Sequence, residues 1–261
     1  MPQQSGAGAA RRCDCRARRD QSRSFEQAGI PPRYRSCCLQ SFQVAGDRRE
    51  LSVSPTLAAA RSVCRRYIDG FLQPEGDFRE AGLIFVGRPG VGKTHLAVAV
   101  LRELMQLYGV RGRFVDFTTL VHQIQATFDV SSAESKRSLL DPLRRCDVLV
   151  LDELGAQKPS AWVSEILYLV MNDRYSERRA TLFTTNFSLE PSHQEPSSAE
   201  LSPADPSGRL PLALDGSAAG PTLDQRIPAR LVSRLYEMAS PVSLEGVADF
   251  RREIRMHQHR V

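Results

Sequence analysis

The 261-residue chain has little sulfur: six cysteines are too few to staple a fold of this size, so a disulfide scaffold is excluded. Long apolar runs are also missing. A spanning helix needs about 20 nearly unbroken apolar residues, and the most apolar stretch, residues 81–101, is interrupted by Arg88, Lys93 and His95. No membrane contact by a spanning helix is expected. No apolar segment follows Met1, where Pro2, Gln3, Gln4 and Ser5 lead into arginines. The expectation is therefore no secretory leader, a cytoplasmic address and reduced thiols. With 41% hydrophobic and 25% charged residues, the chain can bury the core of one large domain and carry an arm.

Lysine and arginine exceed aspartate and glutamate by 35 to 30, a formal charge of +5. The stretch from Arg11 to Arg35 holds eight arginines against Asp14, Asp20 and Glu26, which is 8 minus 3, again +5. The rest of the chain is neutral. A basic arm on a neutral body is the electrostatic footprint of a partner rich in phosphate or acid, because arginine displaces the counterions of a phosphate backbone. A merely solvated tail would have the same composition.

Residues 1–24 carry no apolar period and read as disordered, with order beginning near Phe25. The division expected is a basic, cysteine-containing arm over residues 1–53 and a nucleotide-binding domain over 54–261. Ser54 followed by Pro55 reads as a helix start, and Leu57, Ala60, Val63, Cys64, Tyr67, Ile68 and Phe71 recur at helical spacing. The apolar run Leu83–Val86 predicts a strand buried on both faces. A helix over 94–108 follows, then a strand at 113–117, helices at 120–128 and 134–144, and a strand at 148–151. A helix over 160–177, a strand at 180–185, a helix over 223–238 and a strand at 241–244 complete the reading. Strands alternating with helices imply crossovers, and hence an α/β sandwich around a parallel sheet. Six prolines, six serines and three glycines between Glu190 and Thr222, with no aromatic residue, mark a disordered surface insertion at about 190–222.

Gly87, Arg88, Pro89, Gly90, Val91, Gly92, Lys93 and Thr94 fit G-x-x-x-x-G-K-T directly between the buried strand and its helix. The glycines let backbone amides turn inward on an anion, and the helix N-terminus adds partial positive charge. Lys93 would reach the β and γ phosphates and the Thr94 hydroxyl would ligate Mg2+. His95 opens the helix; it belongs to the cofactor-binding run but is given no catalytic role. The apolar strand through Leu151 ends in Asp152 and Glu153, at the sheet edge where parallel folds place their chemistry. Asp152 would hold magnesium through its water shell and Glu153 would orient the attacking water, the two pointing alternate ways off the strand. Asn186, after Thr184 and Thr185 at the next strand end, could contact the γ phosphate or that water. Arg230 and Arg234 share one helical face, from which one could act as an arginine finger. Cys64 and Cys146 fall within apolar patterns and read as core residues.

The segments GRPGVGKTHLA at 87–97, LVLDELG at 149–155, TTN at 184–186 and RLVSRLYEM at 230–238 together resemble the AAA+ ATPases of the DnaC/IstB type. That group includes bacterial replicative-helicase loaders and the ATPase helpers of insertion-sequence transposition. The resemblance covers about residues 25–261. It implies a P-loop NTPase three-layer sandwich with a five-stranded parallel sheet in the order 5-1-4-3-2, without a full helical lid. It also implies Walker A at Lys93 and Thr94, Walker B at Asp152 and Glu153, sensor I at Asn186 and an arginine box at Arg230 and Arg234 acting on a neighbouring subunit. ATP and Mg2+ are the implied cofactors. Single-stranded DNA, a replicative helicase or transposase, and further copies of the chain are the implied partners. Ala28–Tyr34 resembles the segment where loader-like members are expected to contact adenine. Residues 246–251 follow the family's closing G-x-D-x-R pattern only loosely, so no sensor arginine is assigned. Loader-like relatives often carry a zinc-binding cysteine arm, but Cys13 and Cys15 stand alone near the start and Cys37 and Cys38 are adjacent. Paired knuckles with two to four spacing residues are the usual tetrahedral arrangement, so zinc is not the favoured reading.

Three functions share this site: an ATP-hydrolysing switch of the loader type or of the transposition-helper type, a small-molecule kinase, and a nucleotide-gated scaffold with negligible hydrolysis. The acidic pair with Asn186 favours water over a metabolite as acceptor.

Overall fold

The structure is a computed structural model, described here for residues 23–42, 54–79, 81–126, 133–158, 160–189, 222–247 and 249–250. Five strands form one sheet: β1 (Gly82–Val86), β2 (Gly112–Asp116), β3 (Val148–Leu154), β4 (Thr181–Thr185) and β5 (Ala239–Ser243). Every pairing is parallel and the spatial order is β2-β3-β4-β1-β5, which is 5-1-4-3-2 from the other edge. Among the described residues the helices that flank it are α1 (Pro55–Asp69), α2 (Lys93–Tyr108), α3 (Phe117–Ala126), α4 (Ala133–Arg145), α5 (Ala161–Ser176) and α6 (Ala229–Met238), after a short helical stretch at 23–27.

Alternation along the strands builds the three layers. Leu83 and Phe85 of β1 join a core with α1 and α2, while Ile84 and Val86 join a second core with α3, α5 and α6. All five residues of β1 are buried, as a strand covered on both faces requires. Helix α1 starts as its sequence dictates: the Ser54 hydroxyl accepts the Leu57 amide at 3.4 Å and Pro55, which has no amide hydrogen to leave unpaired, takes the first turn. Ser160 caps α5 in the same way, through the Val163 amide at 3.1 Å.

Residues 23–42 belong to the first core. Phe25, Ala28, Ile30, Leu39 and Phe42 are buried there, and the Ala28 carbonyl accepts the Phe114 amide of edge strand β2 at 2.7 Å. That contact partly covers an edge that would otherwise offer unpaired backbone groups. Cys64 and Cys146 are both buried, as the apolar patterns around them suggested. The helix expected over 223–238 is divided. A short 3-10 turn at Leu223–Gln225 precedes α6, because Pro228 disfavours helical geometry at Ile227 and restarts the helix at Ala229. Strand β5 tolerates Pro241 because it lies at the sheet edge. The insertion expected at about 190–222, apart from buried Thr222, together with Cys13 and Cys15, most of the arginine-rich arm and any lid after residue 250, lies outside the described residues.

Candidate nucleotide site

The loop after β1 turns at Gly87, Gly90 and Gly92, with φ of 155°, 85° and 99°. Left-handed geometry at Gly90 and Gly92 is what only glycine adopts without strain, and it aims successive amides at one point. Lys93 folds back inside this turn, its ammonium donating to the carbonyls of Gly87 and Arg88 at 2.8 Å each. The side chain is only 7% exposed, so the cation sits beneath the loop with two carbonyl partners. Val91 points into the core.

Strand β4 separates β1 from β3, so the two motifs are not on neighbouring strands. Thr184 spans the gap. Its hydroxyl donates to Asp152 Oδ1 at 2.6 Å and accepts the Glu153 amide at 3.0 Å. Thr94, at the head of α2, donates to the same Asp152 oxygen at 2.9 Å. Asp152 is thus 4% exposed and held by hydroxyls from two elements. Burial pushes its carboxyl above the usual carboxylate range. The hydrogen bonds from Thr184 and Thr94 pull back, Asp116 adds repulsion and Lys93 lowers it slightly.

A regular strand would turn Glu153 to the face opposite Asp152. Instead the β3–β4 register shifts between Leu151 and Leu154, and Glu153 adopts a left-handed φ of 59°, a conformation that costs a non-glycine residue about 1 kcal/mol or more. Simple alternation is thereby broken, and exposed Glu153 lines the same cleft as the loop. The cleft encloses about 200 Å³. Pro89, Gly90, Gly92, Lys93, Thr94 and His95 form one wall, Thr184 and Asn186 another. Tyr34 closes it from the expected adenine segment, and Phe250 from the other terminus.

His95 lines the cleft, but its ring is engaged by residues 38–42. Its Nε2 lies 3.1 Å from the Cys38 carbonyl and 3.3 Å from Ser41 Oγ, its ring meets Phe42 at 5.4 Å, and burial lowers its pKa. It tethers residues 38–42 to the loop. Phe42 packs so closely on Gly92 that a Cβ there would fall 2.7 Å from the ring.

Arg230 and Arg234 do not line the cleft of their own chain. Both guanidinium groups stack on Tyr168 of α5, at 4.9 and 5.2 Å, and Arg234 also donates to Asn172 Oδ1 at 2.6 Å. Arg226, which belongs to no motif in the sequence, holds the carbonyls of Gly155, Ala156 and Gln157 with its guanidinium just beyond the acidic pair. The role of Thr184 is likewise invisible in the residue pattern, since a hydroxyl at a strand end carries no signal until sheet order is known. Cys37 is buried and Cys38 half-buried beside Ser41; among the described residues, no cluster of three or more histidine, cysteine or acidic side chains could hold a metal ion.

A glycine loop between a buried strand and a helix, its threonine joined to the aspartate of a strand two places away, defines the P-loop NTPase fold in its AAA+ arrangement. Comparison with known proteins narrows the class. Residues 77–204 match the family of IstB-like ATP binding proteins. The replicative helicase loader DnaC of Escherichia coli K12 is 32% identical over 170 residues, spanning 64% of this chain and 62% of DnaC. The crystal structure of the DnaC helicase loader superposes with a TM-score of 0.59 at 28% identity, covering 82% of this chain and 99% of that one. AMPPCP-bound DnaA from Aquifex aeolicus shares the fold, with a TM-score of 0.56 at 15% identity over 88% of this chain and 56% of its own. In its matched segment, its relatives and its fold, the chain is similar to the DnaC/IstB type of AAA+ proteins, and it spans less than two thirds of the length of the curated DnaC relatives.

Proposed function

We propose that the chain is an ATP-hydrolysing AAA+ switch of the helicase-loader type, acting on DNA or on a DNA-bound protein assembly. The hydrogen bond between Thr94 and Asp152 carries this reading, because it brings a hydroxyl and a carboxylate from the two motifs together at the mouth of the phosphate loop. These are hard oxygen donors of the kind Mg2+ takes, one or two from protein and the rest from phosphate and water, so the donor set fits the ion. Bound there, magnesium would neutralise phosphate charge. The loop amides of Gly90 to Thr94 cradle the phosphates. Lys93, released from the Gly87 and Arg88 carbonyls, follows the β and γ phosphates. Glu153 accepts a proton from the attacking water, which Asn186 orients from the other wall. Arg230 is the finger offered to a neighbouring copy, and Arg234, tied to Asn172 and stacked on two tyrosines, braces it.

Lys93→Ala should abolish ATP turnover, with the fold intact by circular dichroism; full turnover in that variant overturns the mechanism. Released phosphate should be free orthophosphate, whereas label transferred to a metabolite would mark a kinase. The basic arm supports DNA as partner. The match to IstB-like proteins supports the second reading, a transposition helper. Co-purification with the replicative helicase rather than with a transposase decides between them.

A further inference from the structure

The chain returns to the phosphate loop after β5. Leu244 is buried, its amide donates to the Val86 carbonyl at 2.7 Å, and its backbone packs on Gly87. A left-handed turn at Gly246, φ 74°, and the contact of Val247 with the first core bring the chain back over the loop. Asp249 ends against Gly90. A Cβ built there would fall 1.9 Å from Asp249 Oδ1 and 2.4 Å from its Cγ, so the carboxyl group fills the space directly beside that glycine. Phe250, 40% exposed, lines the same cleft.

A carboxylate is drawn to this place by the same forces that draw a phosphate: inward amides and the positive end of α2. We propose that Asp249 is a further residue of the nucleotide site, an internal anion that competes with the nucleotide's phosphates for the loop at Gly90. The proposal rests on the nucleotide-binding reading above. A polyphosphate entering the loop meets a like charge within the same few ångströms, and like charges in contact oppose binding strongly. Nucleotide affinity is thereby set below what the loop alone would give, and binding requires the Asp249 carboxylate to give up its place beside Gly90.

The test uses the full chain and fluorescence titration with Mg-ATP, together with competition by magnesium pyrophosphate, which has no base or ribose. Asp249→Asn keeps the shape and removes the charge, and it should tighten both ligands by about three- to tenfold. Asp249→Glu, which retains the charge, should stay near wild type. Should the asparagine variant fold poorly, Asp249→Ser gives the same readout. Unchanged or weaker binding by the neutral variant overturns the proposal, as does tightening of ATP without pyrophosphate, which would place Asp249 against the base or ribose. Wild-type chain that binds ATP while Asp249→Asn binds no better sinks this inference alone. If neither protein binds either ligand, the nucleotide-binding reading falls with it.

Discussion

Asp152 is where stability and chemistry oppose one another. Its carboxyl is buried, so the ionised form that a cation needs is the form the fold resists. A group whose folded-state pKa is raised stabilises the fold while neutral, and that contribution is lost as pH rises through the folded value. Asp152→Asn should therefore stabilise the nucleotide-free chain. Both threonine hydroxyls donate to Oδ1, so an amide oxygen in that place keeps both hydrogen bonds. Relief of about 1 kcal/mol would raise the melting temperature of a chain this size by about 2–4 °C. The gap should be widest at neutral pH and shrink as pH falls through the raised folded value, until the carboxyl is protonated in the folded and unfolded chain alike. Thermal melts at several pH values check this, and turnover should be lost at all of them. At this scale the sequence names Lys93, Thr94, Asp152 and Glu153 because their spacing is fixed by one loop and one strand. Thr184, Arg226, Phe42 and Asp249 were not legible, since each reaches the site across a distance set by tertiary packing.

Helix α5 is locked to the sheet by a buried cation that, among the described residues, is held mainly by carbonyls and a hydroxyl and not by an ion-paired carboxylate. Arg174 has no exposed surface, and its guanidinium donates to Thr181 Oγ1 at 2.8 Å and to the carbonyls of Leu143 and Cys146 at 2.9 Å each. A further bond of 2.6 Å runs to the Ala180 carbonyl. One side chain thus joins the end of α4, the start of β3 and the start of β4. Burial lowers its pKa, but the ring of carbonyls keeps the charge solvated. Arg174→Met would fill most of the volume and leave those acceptors without their donor. The expected loss is about 3–5 kcal/mol, read from the urea midpoint, and a loss below about 1 kcal/mol would mean that desolvating the cation cancels its contacts. Elements were mostly readable because their apolar periods are long, α1 and β1 above all. The helix expected over 223–238 failed because periodicity ran through Pro228, whose backbone restriction overrides it. The broken alternation at Glu153 was equally hidden, for a register shift leaves no mark in the residue pattern.

Across the whole molecule, composition and alternation gave a parallel sheet, but strand order followed from the resemblance, because spacing alone does not choose among right-handed crossovers. The position of Arg230 is the consequence that reaches beyond one chain. It lies on α6, stacked on Tyr168, and does not line the cleft holding Lys93 and Glu153. If it completes the site of the next copy, hydrolysis belongs to an interface between unlike surfaces, not to a subunit. Lys93→Ala and Arg230→Ala should then each be inactive when pure, the first for want of a phosphate loop and the second for want of a finger. Mixed in equal amounts, the Arg230→Ala copies supply intact loops and the Lys93→Ala copies intact arginines. Random assembly pairs the two correctly at about a quarter of interfaces, so the mixture should recover about a quarter of wild-type turnover. Residual activity no greater than the mean of the two pure variants would place the arginine within its own chain, and α6 would have to move toward the cleft for hydrolysis to occur.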